Sequence, residues 1–160
     1  MNKWHLCIKG LILNCASQPI FQNYISAKYQ RMNKPDKIIL IDDNHTTNFL
    51  NEMVINRSGH DISVISFDKA SNAIDFFEKE KNGPKKYLIF LDINMPEMDG
   101  WEFADAYAKI KLVNTNIIVM LTSSVDPRDK DRALGHEVIH DYHSKPLTFE
   151  VINEILSKYF

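Results

Sequence analysis

Beyond residue 15 the 160-residue chain contains no cysteine; Cys7 and Cys15 are the two it has. A disulfide framework is therefore excluded for the body of the protein, and nothing in it asks for an oxidising compartment. Long apolar runs are also missing. The patch Leu11, Ile12 and Leu13 is far too short to span a bilayer. As a signal peptide it is brief and interrupted, and Asn14 stands where a lipoprotein cleavage box needs a small residue before Cys15. Positive charge is scarce in the body: residues 37–160 hold 14 Lys/Arg against 20 Asp/Glu, a net charge of -6. With no basic recognition helix, a nucleic-acid partner is not expected. None of the six histidines has metal-ligand spacing, and His136, His140 and His143 are expected at the surface. There is no internal repeat and no low-complexity tract.

What is present describes an ordinary globular chain, 44% hydrophobic and 25% charged. Its length predicts one domain with a real core. Residues 1–36 differ from the rest, with five Lys/Arg against the single acid Asp36, net +4. They read as a poorly structured N-terminal extension ahead of a folded domain at 37–160. Met32, just before the first strand, is the expected natural start, which makes residues 1–31 an upstream extension.

From Lys37 the pattern is regular. Strands are expected at 37–41, 62–67, 87–91 and 117–121, with a weaker one near 138–143. Between them, Asn44 caps a helix with a buried stripe of Phe49, Leu50, Met53 and Val54. Asp68 caps a second helix with Ala70, Ala73, Ile74 and Phe77 inside. A third runs from Trp101 to about Ile110, and Asp126-Pro127 opens a short polar fourth that ends at Gly135. Thr148 caps a fifth with Val151, Ile152, Ile155 and Leu156 buried. Five alternations of strand and helix predict an α/β fold with a doubly wound, five-stranded parallel sheet and helices on both faces.

The stretch from Tyr87 to Gly100 organises the chemistry. An apolar strand stops at Asp92, a turn with Pro96 follows, and Gly100 precedes a helix; Asp99 reads as a turn residue. Other strands end on Asp42-Asp43, on Thr122, and, after the fifth, on Lys145. In a parallel sheet these ends share one edge, where such folds place their ligands. Crowded carboxylates repel, and all-oxygen ligands suit Mg²⁺ rather than zinc. Lysine adds a charge suited to phosphate and threonine a hydroxyl. Together they point to phosphoryl transfer to an aspartate. Alone, each residue has a blander reading: Asp42 and Asp43 as helix-capping acids, Lys145 as a solvated lysine, Tyr142 as a packing residue.

The segments Ile41-Asp42-Asp43, Leu91 to Gly100, Leu121-Thr122-Ser123 and Tyr142 to Leu147 resemble, in order, the motifs of the receiver domain of two-component response regulators. The resemblance covers Lys37 to Phe160 and implies a flavodoxin-like strand order of 2-1-3-4-5. It makes Asp92 the phosphoacceptor. It implies that Asp42, Asp43, Asp92 and the backbone carbonyl of Asn94 bind Mg²⁺. Thr122 matches the switch hydroxyl, Ser123 the small residue beside the site, Tyr142 the responding aromatic, and Lys145 the phosphate-binding lysine on a cis peptide to Pro146.

A stand-alone, cytoplasmic regulator is implied, monomeric or weakly dimeric. A sensor histidine kinase or histidine phosphotransfer protein would be its donor, and a downstream protein its target, with no membrane contact. It would be a switch rather than an enzyme, with self-phosphorylation and self-dephosphorylation as its chemistry. The alternative is a Mg²⁺-dependent phosphatase of the haloacid dehalogenase type, which needs a second aspartate where Asn94 stands. A flavodoxin would need a hydroxyl-rich phosphate loop where Asp42 and Asp43 lie. The chain departs from the family between Gly135 and Lys145, where it is longer, and at His143, where an aliphatic residue is typical.

A chain beginning at Met32 is expected to melt within about 5 °C of the full-length protein. A larger drop would mean roughly 1–2 kcal/mol of lost packing and would put the tail in the fold.

Overall fold

The computed structural model describes residues 34–113 and 116–160; the expected extension at 1–36 lies almost entirely outside them. Five strands form one parallel sheet: β1 (Lys37–Ile41), β2 (Ser63–Phe67), β3 (Tyr87–Leu91), β4 (Ile117–Thr122) and β5 (Ile139–Ser144). Their order is β2-β1-β3-β4-β5. The helices are α1 (His45–Arg57), α2 (Ala70–Glu80), α3 (Gly100–Ala108), α4 (Pro127–Leu134) and α5 (Phe149–Tyr159). Among the described residues, no helix is long and apolar enough to cross a membrane.

Alternation along the central strands divides the core in two. Ile39, Ile41, Ile89, Leu91, Ile118 and Met120 point to the face covered by α2, α3 and α4. Ile38, Leu40, Leu88, Phe90, Val119 and Leu121 point to the face covered by α1 and α5. Strands buried on both faces read as unbroken apolar runs, which is why β1, β3 and β4 are plain in the sequence. Under α2 and α3 the packing is aromatic. Phe77 meets Tyr107 edge-on, with ring centroids 5.1 Å apart, and Tyr87 at 5.9 Å. Asn116 pins this cluster: its Oδ1 accepts from the Tyr87 amide at 2.9 Å and its Nδ2 donates to the Tyr107 hydroxyl at 2.7 Å.

Several local expectations need correcting. On α1 the buried residues are Asn48, Asn51 and Ile55, whereas Phe49 and Leu50 are 62% and 54% exposed. The predicted stripe is thus only half inside: Val54 packs against the core and Met53 is half-buried, while Phe49 and Leu50 face solvent and Asn48 takes the inner face, its Nδ2 donating to the Asp42 and Phe67 carbonyls. The N-cap of α2 is Lys69, and Asp68 makes no cap. Asp99 is more than a turn residue: its side chain accepts from the Glu102 amide while Glu102 bonds back, a reciprocal capping box.

The histidines were also misplaced. His140 and His143 are half-buried, and His136 pairs with Asp105 at 3.2 Å. His140 forms a β-bulge, since Ile118 pairs with Ile139 and Val119 with Asp141, leaving one residue of β5 unopposed. The amide of Ile118 donates to Nδ1 of His140 at 3.2 Å instead. The bulge takes up one residue of the segment between Gly135 and Lys145.

Beyond the bulge, Asp141 ties β5 to α5. It accepts from Nζ of Lys158 at 2.8 Å, the Tyr142 amide at 2.9 Å and the Tyr159 hydroxyl at 3.2 Å. Burial pushes the Asp141 carboxyl up, but the hydrogen bonds from Lys158 and the Tyr142 amide outweigh it and hold its pKa below the ordinary value. A folded-state pKa below the unfolded one gives stability that is present above about pH 4 and lost as pH falls through the folded value. Asp141→Asn is expected to cost about 1 kcal/mol at pH 7, a figure kept low because Lys158 is half-exposed. Thermal melts of the two proteins should converge as the pH falls below about 4.

Candidate functional site

Register sets the site. Ile41 pairs with Leu91, so Asp42 and Asp92 leave adjacent strands at the same level. The amide of Asp92 donates to the Ile41 carbonyl at 2.9 Å, which continues the ladder by one residue. Both carboxylates are nearly buried, Asp42 4% and Asp92 5% exposed, while Asp43 is open to solvent. One oxygen from each of the three lies within 4.8 Å of the others.

Lys145 answers this charge. Its Nζ lies 2.5 Å from Oδ2 of Asp42 and 3.0 Å from Oδ2 of Asp92. Burial would lower the lysine pKa, but hydrogen bonds to Asp42 and Asp92 prevail and raise it. Asp42 shows the opposite balance: burial drives its carboxyl up, against hydrogen bonds from Lys145 and the Asn44 amide. The β4–β5 pairing delivers the lysine, whose amide donates to the Thr122 carbonyl at 2.9 Å. The Lys145–Pro146 peptide is cis, as expected.

The remaining predicted residues lie on the same edge. Thr122 is fully buried, and its Oγ1 accepts from the Ser124 amide at 3.2 Å. Tyr142 is half-buried, and its hydroxyl donates to the Ser124 carbonyl at 3.4 Å. Ser123 and Asn94 are exposed in their loops.

Two supporting residues carry more than the sequence suggested. Asn48 on α1 donates through Nδ2 to the Asp42 carbonyl at 2.8 Å, fixing the backbone that carries the acid. Its signal was the run of asparagines at 44, 48 and 51 on one helix, a polar stripe at helical spacing. Gly100 presses on the other acid. A Cβ there would sit 2.3 Å from the Asp92 carbonyl oxygen and 2.9 Å from Cα of Ile93, so no larger residue fits without moving Asp92. Its amide closes the loop on the Ile93 carbonyl at 2.9 Å.

The donor set fits a hard divalent cation, being three clustered carboxylates with no sulfur or imidazole among them. An aspartate at the carboxyl end of a central parallel strand, with a lysine 3.0 Å away, suits phosphoryl chemistry.

Comparison with known proteins agrees. A family model described as the response regulator receiver domain matches residues 38–157. A chemotaxis protein CheY homolog of Campylobacter jejuni is 32% identical over 120 residues, covering 75% of this chain and 88% of that protein. Hybrid signal transduction histidine kinase I of Dictyostelium discoideum is 31% identical over 132 residues, and there the match spans 7% of the kinase. Among solved structures, a two component response regulator from Cytophaga hutchinsonii superposes with a TM-score of 0.72 at 33% identity. That match covers 79% of this chain and 97% of the other. The strand order agrees with the match, and the chain belongs to the response regulator receiver domain family.

Proposed function

We propose that residues 37–160 act as a phosphorylation-controlled switch, with Asp92 accepting a phosphoryl group from a phosphohistidine on a sensor histidine kinase or phosphotransfer protein. The observation that carries this reading is the clustering of Asp42, Asp43 and Asp92 oxygens within 4.8 Å, with Lys145 bridging two of the acids. Asp42, Asp43, Asp92 and the Asn94 carbonyl would hold Mg²⁺, which when bound offsets carboxylate repulsion and stabilises charge on the phosphoryl oxygens.

The chain's own groups do the rest. A carboxylate oxygen of Asp92 attacks phosphorus in line, an acyl-phosphate bond forms, and the phosphorus–nitrogen bond to the donor imidazole breaks. The β1–β3 register and the Gly100 contact hold the nucleophile still, so much of the barrier reduction comes from positioning. Lys145 offers its ammonium to a phosphoryl oxygen, a change of partner and not of place.

The read-out would run through the backbone of one residue, Ser124. Thr122 accepts from the Ser124 amide and Tyr142 donates to the Ser124 carbonyl. A Thr122 hydroxyl turned toward the phosphoryl group gives up the first bond, and the β4–α4 loop can then release the second. That frees Tyr142 and gives two discrete packings. The downstream protein would read the surface of α4, β5 and α5.

Incubation with acetyl phosphate and Mg²⁺, followed by intact mass and peptide mapping, is expected to place one phosphate on Asp92 and none on Asp92→Asn. Equal labelling of both would overturn the assignment. In the same assay, Asp43→Ala should weaken Mg²⁺ binding more than Asp42→Ala, since Asp42 already has Lys145 as a partner; Trp101 emission reads the titration.

Chemistry and switching should separate. Thr122→Ala and Tyr142→Ala are expected to keep labelling at Asp92 but lose most of the phosphate-dependent change in partner affinity. A coupling of roughly 1–3 kcal/mol corresponds to several- to about 150-fold in that affinity. Labelling rates and amide shifts across residues 122–158 check this. If Tyr142→Ala slowed labelling as severely as Lys145→Ala, the tyrosine would belong to the chemistry.

A further inference from the structure

α4 is thinly packed. Ala133 is the one buried residue among its eight, so little apolar area fixes its place. Polar contacts hold it instead. The Ser124 hydroxyl bonds Asp129, Asp126 caps the Arg128 amide at 2.9 Å, and His136, just past the helix, pairs with Asp105 on α3 at 3.2 Å. One further contact reaches toward the loop that carries Asp92. The guanidinium of Arg132 lies over the indole of Trp101, 4.0 Å from the ring centroid.

Both partners make this contact distinctive. Among the described residues, no ion pair is found for Arg132, and its side chain is exposed, yet Trp101 is only 5% exposed. Trp101 directly follows Gly100, the residue whose backbone abuts the Asp92 carbonyl. The stack therefore joins the helix that buries fewest residues to the first turn of α3, next to the Gly100 contact with Asp92, and does so separately from the Thr122–Ser124–Tyr142 connection.

We infer that Arg132 is a positioning residue for the reaction at Asp92: stacked on Trp101, it ties α4 to the first turn of α3, beside Gly100, and favours the arrangement in which Lys145 bridges Asp42 and Asp92. The inference rests on the reading of Asp92 as phosphoacceptor. Losing the stack would release α4 and make the phosphoryl-bound arrangement easier to reach. An exposed cation–π contact corresponds to about two- to five-fold in an equilibrium constant.

The test uses the full chain carrying Trp4→Phe, which leaves Trp101 as its one tryptophan. Beryllofluoride with Mg²⁺ serves as the phosphoryl mimic, with bound fluoride followed by ¹⁹F NMR and Trp101 by its emission. Arg132→Ala is expected to lower the half-saturating beryllofluoride concentration about two- to five-fold and to lose most of the emission change. Arg132→Gln, which keeps the stem without the charge, should behave like Arg132→Ala, and Arg132→Lys should recover part of the wild-type response. An unchanged or raised half-saturation in Arg132→Ala, or a wild-type response from Arg132→Gln, would overturn the role. If wild type bound no beryllofluoride at all, the phosphoacceptor reading would fail, and the positioning role with it.

Discussion

Two carboxylates held at the same height on neighbouring strands are the constraint from which the rest of the site follows. The Ile41–Leu91 pairing fixes Asp42 and Asp92 through the backbone, so the acids cannot relieve their repulsion by drifting apart. At a few ångströms, with little water between them, that repulsion is worth several times its value in bulk solvent. Burial is the main cause that drives the Asp42 carboxyl up, and Asp92 adds the smallest part. A cation is required, and the fold supplies one from the far side of the sheet. Lys145 arrives because β5 pairs with β4 in parallel, Thr122 opposite Ser144, and its amide bonds the Thr122 carbonyl. A long, flexible stem suits that task, and under the proposed function the same ammonium would follow charge from carboxylate to phosphoryl group.

The apolar layers hold this charged edge together. Ile41, Leu91 and Met120 on one face, and Leu40, Phe90 and Leu121 on the other, end immediately beneath the acids. Such close packing keeps the strand ends from shifting. The transition from core to site takes place within one residue along each strand. Polar backbone exposed by that transition needs partners, and Asn48 supplies one to the Asp42 carbonyl. Gly100 solves a different problem, letting the α3 entrance close over Asp92 where any side chain would collide.

How much of this was legible follows from the same physics. Strands buried on both faces write themselves as apolar runs, and the residue that ends each run is the residue at the edge, so Asp42, Asp92 and Thr122 could be placed from sequence. Lys145 could be placed only through the surrounding motif, because a lysine after a weak, half-polar strand carries no periodic signal. The α1 face was misread in part for a physical reason: Phe49, Leu50, Met53 and Val54 are apolar at helical spacing, but Asn48 bonds the Asp42 and Phe67 carbonyls, and the helix buries Asn48 and Asn51 while leaving Phe49 and Leu50 exposed. The bulge at His140 left no trace either, since one inserted residue in a strand changes pairing without changing composition. Asp99 and Asp68 show the limit of capping signals. Both precede helices, and only Asp99 has Glu three residues later to complete the pair.

The sheet and its helices are unevenly stabilised, and the unevenness has a direction. β1, β3 and β4 are almost wholly inaccessible to solvent, whereas β5 carries Asp141, Tyr142 and His143 in succession and α4 buries one residue. A phosphoryl group on Asp92, as proposed, can bias two arrangements only by the difference in its contacts with each. Hydrogen bonds from one threonine and one lysine amount to a few kcal/mol at most. For so small a difference to reverse a population, the arrangements must already lie within a few kcal/mol of each other. A helix seated by a deep apolar face could not meet that condition. One seated by Ala133, a serine–aspartate bond and a guanidinium on an indole can, because each contact is individually weak and replaceable by water. Under the proposed function, the polar character of α4 and β5 is what would allow rigid chemistry at one end of β3 to be felt on a soft surface two strands away.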